Sequence, residues 1–260
     1  MNLTFEDIAE KFAELKCCVL IPVFNNAGTV LHVVRSVLEY TSNVIVVNDG
    51  STDDTGSLLD SAGLPMEIVS YSRNRGKGYA LKVGFERACE LGYEYAVTMD
   101  ADGQHLASDL PLFIEHIVQH NGVLLIGSRN FNNENMPGRN CFANRFSNFW
   151  FKVQTGYNLP DTQTGFRAYP LKKVRPGWIL SYRYEAELEL LVFAAWRGIP
   201  LLPIAINVYY PPGDERVSHF HPFKDFARIS LLNTFLTFAA VVYGWPSALY
   251  RKVCIGRRGE

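Results

Sequence analysis

Short apolar runs alternate with amphipathic stretches through the first half of the chain, and this alternation restricts the possible folds more than any other feature. Residues 17–21, 44–47, 68–70, 95–99 and 123–126 are apolar runs, the first closed by Pro22 and the second by Asn48-Asp49-Gly50-Ser51. Runs this short, with no polar alternation, read as strands buried on both faces of a sheet. Between them, residues 28–40, 53–61, 78–91 and 108–119 place apolar side chains at helical spacing, the last behind Ser108 as a cap. Strand and helix in strict alternation predict an α/β fold with a mostly parallel sheet and helices on both faces. Thr4 and Asp7 form a candidate capping box for an opening helix whose stripe is Phe5, Ile8, Phe12 and Leu15.

Beyond Arg129 the alternation weakens. A polar loop is expected at 132–137, helices at 140–155 and 182–196, and strand-like runs broken by Pro200 and Pro203 at 199–210. A turn at 211–214 and a loop at 219–225 follow. In open α/β sheets ligands bind beyond the carboxyl ends of the strands. The polar residues fall at those ends: Asn25, Asp49, Arg73, the pair Asp100 and Asp102, and Arg129, one group after each strand.

The formal net charge of −1 argues against a nucleic-acid binder, which needs a basic face. Five scattered cysteines without a C-x-x-C pair give neither a zinc site nor a disulfide framework, and imply a reducing compartment. The first residues carry acidic groups and no apolar run of signal-peptide length, so no secretion signal is expected. Residues 229–250 contain no charged side chain and are followed by Arg251-Lys252. About 20 apolar residues suffice to cross a bilayer. Asn233, Thr237, Gly244 and Pro246 interrupt the stretch, so an embedded or interfacial helix is expected rather than a straight span, the alternative being a helix buried against the domain.

The sharpest chemical signal is Met99-Asp100-Ala101-Asp102-Gly103-Gln104-His105. Two carboxylates one position apart, just past a buried strand, are hard oxygen ligands suited to Mg²⁺ or Mn²⁺. A cation there can neutralise a diphosphate leaving group.

Leu20-Ile21-Pro22-Val23-Phe24-Asn25, Val46-Val47-Asn48-Asp49-Gly50-Ser51-Thr52-Asp53, Asn74-Arg75-Gly76-Lys77-Gly78 and Met99-Asp100-Ala101-Asp102 occur in that order. Together they resemble family-2 glycosyltransferases of the inverting GT-A type. Gly127-Ser128-Arg129, Asp161-x-x-Thr164-Gly165-Phe166-Arg167 and Tyr184-Glu185-Ala186-Glu187-Leu188 resemble the dolichyl- and polyprenyl-phosphate mannosyl- or glucosyltransferase branch. The resemblance implies a GT-A domain at 17–226 between an amphipathic helix at 1–16 and an apolar helical tail at 227–260. It implies a nucleotide-sugar site at Pro22, Phe24, Asn25, Asp49, Lys77, Asp100 and Ala101, and a metal site at Asp100, Asp102 and Gln104. Arg129, Arg167 and Arg216 would face phosphate; Asp102, Arg129, Asp161 and Arg167 would carry catalysis. Three departures stand out: Asn25-Asn26 where the family often has Asn-Glu, Asn48-Asp49 where it often has Asp-Asp, and no processive Q-x-x-R-W signature.

The implied reaction is a single displacement with inversion from GDP-mannose or a UDP-hexose. A lipid phosphate acceptor is already anionic and needs positioning by arginines. A hydroxyl acceptor needs a base, for which Asp161 is the candidate. The implied location is the cytoplasmic face of a membrane. A HAD-type phosphatase is the rival enzyme, but its aspartyl motif opens the domain, whereas here three strands precede it.

Overall fold

The computed structural model describes residues 4–129, 138–209 and 222–256, and the side-chain surroundings of 4–129, 143–209 and 228–251. The expected polar loop at 132–137, the turn at 211–214 and Arg216 lie outside the described residues.

Among the described residues seven strands form one sheet: β1 (Cys17–Val23), β2 (Val44–Asp49), β3 (Glu67–Tyr71), β4 (Tyr95–Thr98), β5 (Leu124–Arg129), β6 (Arg167–Pro170) and β7 (Leu201–Ile206). Their spatial order is β3-β2-β1-β4-β6-β5-β7. Only β6 runs against its neighbours, pairing antiparallel with β4 and β5. The mostly parallel sheet is therefore as expected. The four-residue β6 escaped the sequence reading because its outer positions are Arg167 and Pro170, which break any apolar run.

Alternating side chains of each strand serve two cores, one per face. Cys17, Val19 and Ile21 pack on one side with Val44 and Val46 of β2, Val33 and Val37 of α2 (Val30–Leu38), and Phe113 and Ile117 of α5 (Leu110–Gln119). Cys18, Leu20, Ile45 and Val47 face the other side. There they meet Leu81 and Phe85 of α4 (Lys77–Glu90) and Leu190 and Leu191 of α7 (Glu185–Trp196). Burial on both faces explains why these strands carry no polar alternation. The opening helix α1 (Phe5–Glu14) has its capping box: Thr4 Oγ1 accepts the Asp7 N–H at 3.2 Å, and the Asp7 carboxylate accepts the Thr4 N–H at 2.8 Å. Its Ile8 and Phe12 are buried. Helix α3 (Thr55–Ser61) completes the first half.

Ser108 does not cap α5; residues Ala107–Asp109 make a 3-10 turn instead, with no side-chain cap. Asp109 is buried because its carboxylate accepts the backbone N–H of Asn207 at 2.6 Å and its amide at 2.9 Å, tying this corner to the chain after β7.

Three helices close the face that carries the α4 core. Helix α6 (Gly138–Thr155) and α8 (Pro222–Ala239) flank α7, and a π-helical turn, Ala240–Gly244, joins α8 to α9 (Trp245–Gly256). The loop expected through residue 225 is helical from Pro222 onward. Arg228–Arg251 is a continuous 24-residue stretch long and apolar enough to cross a membrane. Leu236 and Ala240 pack into the core, while Leu231, Phe235, Phe238 and Val242 are exposed.

Candidate active site

The carboxyl ends of β1, β2 and β4 and the N-termini of α4 and α7 open onto a cleft of about 540 Å³. Of the residues expected there, Pro22, Phe24, Asp49, Lys77, Asp100, Ala101, Asp102, Gln104 and Arg129 line it. Asn25 does not. Its backbone is left-handed at φ 52°, and its side-chain oxygen accepts the Thr52 N–H at 2.8 Å. It therefore stitches the β1 exit to the β2 exit, and the next residue, Asn26, faces the cleft.

Asp49 is buried at the end of β2. Its carboxylate accepts the Arg75 N–H at 2.7 Å, the Gly76 N–H at 2.8 Å and the Asn74 amide at 2.9 Å. A charged acceptor with three such donors shapes the loop that leads into α4. Asp49 thus acts first as the organiser of Asn74-Arg75-Gly76.

Helix α4 begins at Lys77, and this places its ammonium at the centre of the cleft. Nζ donates to Asp100 Oδ1 at 2.6 Å and to Glu187 Oε2 at 3.0 Å. Burial disfavours the Lys77 charge, but Asp100 and Glu187 outweigh it and raise its pKa. Asp100 is also penalised by burial, yet Lys77 holds its carboxyl below the usual range. Among the described residues Asp102 has no such ion-pair partner. Burial and then the Asp100 charge push it up to about 6, although its Oδ1 accepts the Gln104 N–H at 3.0 Å. His105 is buried beside them and driven down to about 4, so it is neutral at pH 7. Its Nδ1 accepts the Asp100 N–H at 3.3 Å, which makes it a prop for the turn.

Gly165 explains part of the Thr164-Gly165-Phe166-Arg167 motif. A Cβ at Gly165 would lie 2.6 Å from Asp100 Oδ2 and 2.7 Å from Lys77 Nζ. Any side chain here would force the ends of this ion pair to shift. Thr98 Oγ1 donates to the Gly165 carbonyl at 2.7 Å and fixes that approach.

Two expected site residues have other work. Arg167 is 0% exposed and does not line the cleft. Its guanidinium donates to the carbonyls of Thr162, Thr164 and Glu187 at 2.9, 2.8 and 2.6 Å. The expectation that it faces phosphate is corrected: β6 turns this side chain into the interior, where it fastens the Asp161–Gly165 segment to α7. Asp161 is likewise 0% exposed, gripped by Arg129 through Nε at 2.6 Å and Nη2 at 3.0 Å. Its carboxylate is not poised to take a substrate proton.

Glu187 and Arg183 line the cleft as well. Glu187 lay within a quoted motif, but no local pattern distinguishes a carboxylate facing Lys77 from one on an exposed helix face. Arg183 carried no signal in the sequence. Among the described residues no group of three or more His, Cys, Asp or Glu side chains is arranged around a common point. Asp100, Asp102 and Gln104 nonetheless line the cleft with oxygen donors, and burial, then the Asp100 charge, holds Asp102 above the usual carboxylate range. That donor chemistry fits a hard divalent cation.

Comparison with known proteins identifies the family and the fold. Residues 18–178 match the family model described as Glycosyl transferase family 2. The UDP-N-acetylglucosamine–dolichyl-phosphate N-acetylglucosaminyltransferase of Methanococcus voltae is 28% identical over 213 residues, covering 74% of this chain and 85% of that protein. The polyprenol monophosphomannose synthase of Mycolicibacterium smegmatis is 29% identical, covering 75% and 76%. A crystal structure of glucosyl-3-phosphoglycerate synthase from Mycobacterium tuberculosis with Mn²⁺, UDP and phosphoglyceric acid superposes with a TM-score of 0.66 at 17% identity. That likeness covers 92% of this chain and 83% of the other, and concerns the fold. The chain is a glycosyltransferase with a GT-A-like fold and belongs to glycosyl transferase family 2.

Proposed function

We propose that this glycosyltransferase moves a hexose from a nucleotide-sugar donor, GDP-mannose or a UDP-hexose, to a polyprenyl phosphate in a membrane, by single displacement with inversion. The supporting observation is that two cavities take lining residues from the same two helices. The catalytic cleft is lined by Ala143 and Ser147 of α6 and Ile229 of α8. A second cavity of about 340 Å³ is lined by Phe146 and Trp150 of α6 and by Ser230, Asn233, Thr237 and Phe238 of α8. Neighbouring positions on the same two helices thus serve a polar cleft and an apolar groove. An amphiphile with its phosphate in the cleft and its chain in the groove suits both. The two relatives described above are named for dolichyl phosphate and polyprenol substrates.

In this reading Asp100, Asp102 and Gln104 hold Mg²⁺ or Mn²⁺, which when bound neutralises the departing diphosphate. Phe24, Asn26 and the Asp49-ordered loop bound the donor's side of the cleft. Lys77, kept cationic by Asp100 and Glu187, adds a fixed positive charge near the diphosphate. The acceptor phosphate needs no base, and this agrees with a cleft in which Asp161 is locked to Arg129. A hydroxyl acceptor would require that carboxylate to be free. The protein works at the cytoplasmic face, with the tail from 227 onward embedded in or lying on the bilayer.

The test is transfer itself. Purified full-length protein in detergent is incubated with each candidate donor, a polyprenyl phosphate and Mn²⁺, with chelator as control. A chelator-sensitive glycolipid is expected. Transfer to a soluble hydroxyl acceptor with none to polyprenyl phosphate would overturn the lipid assignment.

A further inference from the structure

We infer that Arg183 binds phosphate in this cleft, a role expected of Arg167; the inference rests on the proposed nucleotide-sugar and acceptor-phosphate reading of the site. The cleft is lined by the carboxylates of Asp49, Asp100, Asp102, Glu185 and Glu187. An entering phosphate or diphosphate therefore meets strong negative charge and needs cations not already engaged. Among the described residues the lining cations are Lys77, Arg129 and Arg183. Lys77 bridges Asp100 and Glu187, and Arg129 grips Asp161. The exposed Arg183 guanidinium has no ion pair or hydrogen bond among the described residues.

The backbone beneath Arg183 is fixed although its side chain is free. Just before it, the Glu189 carboxylate accepts the N–H groups of Leu180 at 3.1 Å and Ser181 at 2.9 Å. The Tyr182 carbonyl accepts the Tyr79 N–H at 3.2 Å, and the Arg183 carbonyl accepts the Ala186 N–H at 3.2 Å. The segment sits directly on the N-terminus of α4. Gly76 has φ 98°, and a Cβ there would strike the Tyr182 carbonyl and lie 2.8 Å from Arg183 Cγ. Glycine at this position lets the Arg183 stem cross the start of α4 beside Lys77. The partial positive charge of that helix end adds to the field. A guanidinium delivered this way can present two parallel N–H groups to a phosphate, which an ammonium cannot.

Phosphate in this cleft has two sources, the donor diphosphate and the acceptor headgroup, and the assay separates them. Arg183→Gln and Arg183→Lys are compared with the parent and with Lys172→Gln, a charge control on the exposed surface. Calorimetry with Mn²⁺ measures affinity for nucleoside, nucleoside diphosphate and inorganic pyrophosphate; turnover gives KM for polyprenyl phosphate. For a donor contact, Arg183→Gln loses about tenfold or more in diphosphate and pyrophosphate affinity with nucleoside affinity unchanged. For an acceptor contact, diphosphate binding stays parental and the KM for polyprenyl phosphate rises by a similar factor. Arg183→Lys falls between parent and Arg183→Gln in either case. Parental values in every assay, with a parental melting temperature, overturn the inference. Pyrophosphate binding requires no turnover, so a donor contact by Arg183 is judged even if no donor sugar is accepted. A parent that binds no pyrophosphate overturns the inference. A parent that binds it but transfers nothing overturns only the proposed reaction.

Discussion

The Arg129 guanidinium holds both oxygens of the fully buried Asp161 carboxylate, Nε at 2.6 Å from Oδ2 and Nη2 at 3.0 Å from Oδ1. The Gln163 N–H adds a third donor at 3.0 Å. This clamp ties the end of β5 to the segment that leads into β6. Removing one partner of such a pair strands the other charge, typically at about 3–5 kcal/mol. Asp161→Asn is expected to lower the melting temperature by about 10 °C. Asp161→Asn with parental stability and abolished transfer to a hydroxyl acceptor would restore the carboxylate to a role as base.

Asp49→Ala is expected to release the turn at Asn74-Arg75-Gly76. Three hydrogen bonds to one carboxylate disappear, and each bond to a charged acceptor contributes roughly 1.5–3 kcal/mol. Amide exchange should accelerate at Arg75 and Gly76, and nucleoside diphosphate affinity should fall with it. Slow exchange at both amides together with weakened nucleotide binding would instead make Asp49 a direct nucleotide ligand.

The parallel strands and the Asp100–Asp102 pair were legible because each rests on local pattern. Val44–Asp49 is apolar until its last two residues, and Asp102 follows a buried strand. Arg167 was misread because its fate depends on a long-range pairing: β6 inserts antiparallel between β4 and β5, and this sends the side chain inward toward Glu187. Arg183 was invisible for the opposite reason. Its importance comes from Gly76, more than a hundred positions away in sequence, which admits its stem.

The pair Asp100 and Asp102 should make cation binding depend on pH. Burial and the Asp100 charge raise Asp102 from 3.8 to about 6, so the folded state holds a proton that the unfolded chain has lost between those values. Stability from this group therefore falls as pH rises through that window, and above about 6 its charge is fully unfavourable. A divalent cation relieves that cost. The increase in melting temperature on adding Mn²⁺ should be small at pH 5 and grow toward pH 7. Asp102→Asn should abolish transfer, melt no lower than the parent at pH 7, and lose the Mn²⁺ increment. An increment that ignores pH, or that survives in Asp102→Asn, would place the cation elsewhere.

The last prediction concerns the membrane. Along Arg228–Arg251 one side is integral to the domain: Leu236 and Ala240 are buried against the α7 core, and Trp196 packs against Gly244 in the π-helical turn. The other side leaves Leu231 73%, Phe238 72% and Val242 81% exposed, with Phe235, Trp245 and Leu249 beside them. Soluble proteins rarely leave so many large apolar groups contiguous in water. Lys224, Arg228, Arg251 and Lys252 bracket the stretch in sequence and suit anionic headgroups. Deleting the tail would also remove Leu236 and Ala240 from the core, so truncation confuses folding with targeting. Replacing Leu231, Phe235 and Val242 together with Gln touches only the exposed side. The triple variant is expected to keep a near-parental melting temperature and to float poorly with anionic vesicles. The parent should sediment with membranes, resist carbonate extraction and require detergent. A parent that stays soluble without detergent and does not float with vesicles would sink the membrane assignment while leaving glycosyl transfer intact.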